Sequence, residues 1–173
     1  MLISIGKREP KREDDPLALL EACHVRIRKF SALALAAGSR DDVSDDERRD
    51  ACEKVERYFS IALPLHVRDE EDSVLPRLQG TDPEVDRALE VMEAQHEGHE
   101  ARLAALLAAA RAVREDPADR GRRGALAAAA QILVDEFETH LKLEEAILFP
   151  AIARLPPEVK VEVFAEARSR RQV

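Results

Sequence analysis

Long stretches in which alanine and leucine recur among charged residues alternate with short polar links, and the signals at the ends of each stretch are those of helices. The first stretch opens at Asp14-Asp15-Pro16, a cap followed by proline in the first turn, and closes at Gly38. The second begins at Ser44-Asp45-Asp46-Glu47, a capping-box pattern, and runs to about Leu75, ahead of Pro76. Inside it Pro64 removes one backbone donor, so a kink or a loosened turn is expected there. The third starts at Thr81-Asp82-Pro83-Glu84 and continues to about Arg114; the fourth begins between Pro117 and Ala125 and stops at Phe149-Pro150.

Each stretch is roughly 20–30 residues, or about 30–45 Å as a helix. Long helices joined by short links pack antiparallel, which predicts an all-α, up-down-up-down four-helix bundle. A shorter helix carrying Val159, Val163 and Phe164 is expected after Pro156-Pro157-Glu158, covering one end. The organisation read from the chain is an N-terminal arm over 1–14, a bundle over 15–155, and a C-terminal helix and tail over 156–173.

Composition fits this picture. Hydrophobic residues are 45% of the 173, aromatic residues only 3%, and there are six glycines and no tryptophan. That mix favours close-packed helices over sheets. The formal charge of -8 argues against a nucleic-acid partner. The basic residues near the two ends (Lys7, Arg8, Lys11, Arg12; Arg168, Arg170, Arg171) are read as solvated tails. No apolar run is long enough for a membrane span, and Leu2-Ile3-Ser4-Ile5 is too short for a signal-peptide core. Cys23 and Cys52 do not make a disulfide framework, so a cytoplasmic location with reduced thiols is expected.

The chemistry lies in an internal repeat. His66 is followed by Glu70-Glu71 and Pro76, and His140 by Glu144-Glu145 and Pro150, at the same offsets. Leu20-Glu21-Ala22-Cys23-His24 in the first stretch matches Met92-Glu93-Ala94-Gln95-His96 in the third. A histidine and a glutamate four apart project from one helix face. If the repeat is also a two-fold in space, four imidazoles and two carboxylates converge at one depth. Such a set suits iron or manganese, and zinc less exclusively. A lone helical histidine is more often a hydrogen-bonded core or surface residue, and a Glu-Glu pair a solvated face. The repetition changes that balance, because all five histidines fall in or beside the proposed site.

His66-Val-Arg-Asp-Glu70-Glu-Asp-Ser-Val-Leu-Pro76 and His140-Leu-Lys-Leu-Glu144-Glu-Ala-Ile-Leu-Phe-Pro150 resemble the HxxxE signatures of hemerythrin-like (HHE cation-binding) domains, with His24 and His96 at the family's first- and third-helix histidines. The resemblance covers about residues 16 to 155. It implies two non-haem iron ions bridged by Glu70 and Glu144, one held mainly by His24 and His66, the other by His96 and His140. Glu145 is an alternative bridge; otherwise Glu71 and Glu145 face the surface or stand behind the ligands. Oxygen-carrying members have a third-helix HxxxH, and here the matching place is Glu100, with His99 one residue earlier. His99 and Glu100 are therefore further candidate ligands. Glu21 and Glu93 are candidates for accepting the outer N–H of a site histidine. Cys23 points about 100° away from His24 around the helix and is not counted as a ligand.

The implied activity is to bind, sense or reduce a small oxidant such as dioxygen, a peroxide or nitric oxide, with a redox partner left unspecified. Two other readings stand beside it. One is a ferritin-like di-iron oxidase or iron-handling protein, from the ExxH pairs Glu21-x-x-His24 and Glu93-x-x-His96. The other is a metal-free or zinc-structural helical interaction module.

Overall fold

The computed structural model describes residues 15–172, so the expected arm over 1–14, with its basic residues, and Val173 lie outside the described residues. Five helices follow in order: α1 (Pro16–Ser39), α2 (45–78), α3 (Pro83–Glu115), α4 (120–153) and α5 (Pro157–Ser169), with no strand among the described residues. α1 packs on α4 and α2, and α3 on α2 and α4, closing a four-helix ring. α5 lies against α1 and the second half of α2. No helix among the described residues is long and apolar enough to cross a membrane.

The helix starts are chemical. Asp15 accepts from the Leu17 N–H at 3.1 Å ahead of Pro16, and Asp82 accepts from the Glu84 N–H at 2.7 Å. Ser44 and Glu47 form the reciprocal capping box. Asp119 accepts from Gly121 and Arg122 and so fixes the start of α4, which the sequence left open. At the other end of α1, the buried Arg48 guanidinium donates to the carbonyls of Ala37, Arg40 and Val43. Gly38 lets α1 and α4 approach closely: a Cβ there would stand 2.5 Å from the Ala127 backbone nitrogen.

Two helix ends differ from expectation. α2 passes Pro76 and ends at Leu78, and α4 passes Pro150 and ends at Ala153. Each proline, Pro64 included, is preceded by a π turn: Tyr58–Ala62, Asp69–Val74 and Glu144–Leu148. In each, the residue before the proline donates five residues back: Leu63 to Tyr58, Leu75 to Glu70, Phe149 to Glu144. The wider turn makes room for the ring and absorbs the missing donor, so the helix continues.

The interior has two apolar clusters. One gathers Ile27, Val55, Phe59, Leu106, Leu133 and Phe137; the other gathers Leu20, Leu78, Met92, Leu148, Ile152 and Val163. The second contains the α5 residue Val163, so α5 does cover one end of the bundle. Within the same interior, buried histidines and glutamates project from all four bundle helices.

The C-terminal arginines are not all a free tail. Arg168 is exposed, but Arg170 and Arg171 pair with the buried Asp69 carboxylate on α2, and Arg170 also donates to Ser73. A carboxylate that is 1% exposed needs such partners, which is why these arginines turn inward.

Candidate metal centre

His24 on α1, His66 and Glu70 on α2, His96 on α3, and His140 and Glu144 on α4 are all buried. They form two overlapping groups, His24–His66–Glu70–Glu144 and His96–His140–Glu70–Glu144. Within each group one donor atom per residue lies within 4.8 Å of the others. The two carboxylates belong to both groups, and each divides its oxygens between them. Glu144 approaches His24 through Oε2 at 2.9 Å and His140 through Oε1 at 2.8 Å. Glu70 approaches His66 through Oε1 at 3.3 Å and His96 through Oε2 at 3.6 Å.

The sequence repeat is a repeat in space. His24 on α1 reaches Glu145 on α4 through Nδ1 at 2.9 Å, and His96 on α3 reaches Glu71 on α2 through Nδ1 at 2.8 Å. An ionised carboxylate can only accept, so Nδ1 carries the proton in both rings, and in the neutral ring Nε2 keeps a lone pair facing the centre. His140 does the same by donating from Nδ1 to Gln95 Oε1 at 2.8 Å.

Burial makes this centre costly when it holds only protein. His24 Nε2, both ring nitrogens of His66, Glu70 Oε2 and both Glu144 oxygens have no hydrogen-bond partner despite their close approaches. Each orphan of this kind costs about 1–3 kcal/mol. Burial pushes His66 down to about 3 and, with some relief from Glu71, also lowers His96. Burial and the neighbouring Glu144 charge push Glu70 well above the usual carboxylate range. Burial would raise Glu144 as well, but His140 and His24 beside it, when protonated, outweigh that and hold it low. Neutral imidazoles with inward lone pairs and two carboxylates form a donor set for cations, and the residues fit a pair of divalent metal ions.

The remaining candidates fall outside the two groups. His99 is buried but turned aside, edge-on to Phe137, with Nε2 4.0 Å from Glu136. Burial pushes it down to about 4. Glu100 is exposed. Glu145 belongs to neither group; it stands behind His24 and accepts two hydrogen bonds from Arg28 at 2.7 and 3.2 Å. The expectation for Glu21 and Glu93 is corrected: both are exposed, and the Nδ1 atoms of His24 and His96 are taken by Glu145 and Glu71. Cys23 belongs to neither group.

Sequence reasoning missed Gln95, Arg28 and the Asp69–Arg170–Arg171 cluster. Arg28 sits one turn after His24, and Gln95 directly precedes His96, so both carried a positional signal without a chemical one.

A cleft of about 700 Å³ leads from the surface between α2 and α3 to the centre. Phe59, Leu63, Leu103 and Phe137 contribute apolar walls, and His66, His96 and His140 line its inner part.

A protein of Haemophilus influenzae described as uncharacterized is 30% identical over 91 residues, which are 49% of this chain and 50% of the relative. The chain thus matches about half the length of that relative. The profile of the Hemerythrin HHE cation binding domain matches residues 15–152, which contain every residue of both donor groups. With the bundle, the repeat and the four-imidazole, two-carboxylate cluster in place, the chain belongs to the hemerythrin HHE cation-binding domain family.

Proposed function

We propose that this protein holds a non-haem di-iron centre that binds or reduces a small oxidant, such as dioxygen, a peroxide or nitric oxide. The observation that carries the reading is the division of Glu70 and Glu144, each with one oxygen toward each histidine pair. That is what carboxylates bridging two cations require. When bound, a pair of ferrous ions would supply the electrons for reducing the oxidant.

The protein supplies the rest. Glu145, Glu71 and Gln95 hold three imidazoles with Nε2 inward, so little reorientation accompanies binding. The cleft admits a diatomic or peroxide-sized molecule, and its apolar walls disfavour water beside the centre. Burial keeps His66 unprotonated and available as a donor.

Two observations weigh against the other readings. A ferritin-like oxidase draws on a carboxylate majority, whereas Glu21 and Glu93, which suggested it, are exposed. A metal-free module would leave the buried orphan atoms uncompensated.

The test is elemental analysis of protein purified from iron-replete medium, with absorption spectra before and after oxygen or nitric oxide is added anaerobically. Two irons per chain with a ligand-dependent spectrum are expected. Purified protein that stays colourless with iron, and melts at the same temperature with or without it, would overturn the reading.

A further inference from the structure

We infer that the two halves of the centre are unequal, the His96–His140 half holding a divalent transition-metal ion more tightly than the His24–His66 half. The inference rests on the metal-binding reading above and concerns what stands behind each imidazole.

In the tighter half both rings are held from behind. His96 donates from Nδ1 to Glu71, and His140 to Gln95, each at 2.8 Å. Among the described residues Glu71 meets no lysine or arginine, so its charge is directed at His96 alone. In the other half only His24 has an acceptor, Glu145. That carboxylate is shared with the Arg28 guanidinium, which draws off its electron density. His66 has no partner for Nδ1 although the residue is only 2% exposed. Its ring is positioned by packing, edge-on to His24 with centroids 5.5 Å apart.

The repeat explains the gap. Gln95 precedes His96, and the residue that precedes His24 at the equivalent place is Cys23. Exchanging the halves carries His140 onto His66 and Gln95 onto Cys23. An amide oxygen accepts well and reaches His140; a thiol is shorter and a weak acceptor. Loss of one such outer partner typically costs 10–100-fold in metal affinity. The two halves should differ by about that factor.

The experiment is an anaerobic titration of the metal-free full chain with cobalt(II) alone, followed by visible absorption and by chelator competition. Two ions are expected, the first bound about 10–100-fold more tightly. Gln95→Ala should weaken the tight step by about the same factor and bring the two steps together. Cys23→Ala should leave both steps unmoved, and Cys23→Gln, with its fold checked by circular dichroism, should tighten the loose step. If Cys23→Gln fails to fold, the wild type and Gln95→Ala still decide. Two ions of equal affinity in the wild type, or a tight step that ignores Gln95→Ala, overturns the inequality while leaving the metal centre intact. No cobalt bound at all overturns the metal-binding reading itself and the inference with it.

Discussion

His96 and His140 face each other through their Nε2 atoms at 3.1 Å, and each has its Nδ1 turned outward to an acceptor. Two ring nitrogens at that distance would normally share a proton. Here both protons are fixed on the far side, so the two lone pairs meet in a buried space. A cation between or beside them converts a repulsive contact into two attractive ones, and the same holds for the two carboxylates.

The first prediction separates ligands from neighbours. His66 and His140 each belong to a donor group, whereas His99 belongs to neither and leans on Phe137. His66→Ala or His140→Ala should remove most of the bound metal, and His99→Ala should leave the stoichiometry near that of the wild type. Elemental analysis after gel filtration reads the difference, and equal loss in all three variants would make His99 a ligand.

The second concerns Glu70. Its folded pKa is raised by burial and by the Glu144 charge. The folded metal-free protein therefore holds a proton that the unfolded chain releases above the carboxylate range. The stability tied to that proton is present at low pH and lost as pH rises through the raised value. Glu70→Gln mimics the protonated form. At pH 8 it should stabilise the metal-free protein by about 1–3 kcal/mol, the scale of a buried unsatisfied polar group. That is about 2–4 °C in melting temperature for each kcal/mol. Near pH 4 the gain should vanish, and metal binding should be lost at every pH. Melting curves of stripped protein at the two pH values check the sign.

Much of this was legible in the sequence, and what was not has identifiable causes. The capping residues Asp15, Ser44 and Asp82 fixed three helix starts because each has a local hydrogen bond to make. Pro76 and Pro150 predict helix ends because a proline in an α turn removes a donor. The π turn that bypasses this has no sequence signature of its own, so both helices run past the ends that the prolines predict. The paired half-sites were visible as a repeat. What stands behind each histidine is not, because Glu71 and Glu145 follow Glu70 and Glu144 directly and helical offset alone gives no reason to prefer them over Glu21 and Glu93. The choice is made across the bundle: His24 on α1 is backed by Glu145 from α4, and His96 on α3 by Glu71 from α2.

The third prediction uses His66. Burial pushes its folded pKa to about 3, against about 6.5 in an unfolded chain. Between those values the unfolded state binds the extra proton, so the stability contributed by neutral His66 is present above about 6.5 and lost as pH falls toward 3. One proton corresponds to about 1.4 kcal/mol per pH unit. Metal-free His66→Gln should therefore show a slope of stability against pH smaller by about that amount between pH 4 and 6, measured by urea denaturation. Because Glu70 works in the opposite direction, the comparison is of variant with wild type at each pH, and parallel curves would contradict the assignment.

The last prediction tests the grip of α5 on the centre. Asp69 directly precedes Glu70, is 1% exposed, and is held by Arg170 and Arg171 from the end of α5. Removing both arginines strands a buried carboxylate, and breaking such a pair typically costs about 3–5 kcal/mol. The double variant Arg170→Ala/Arg171→Ala should melt about 6–20 °C lower, at about 2–4 °C for each kcal/mol. Adding Asp69→Asn removes the stranded charge and should recover a large part of the loss, which a merely mechanical role for α5 would not allow. Metal retention should follow the same order, because Asp69 and Glu70 open one π turn and a shift of the first moves the second. Equal melting temperatures for the double and triple variants would show that the arginines act through packing and not through the Asp69 charge.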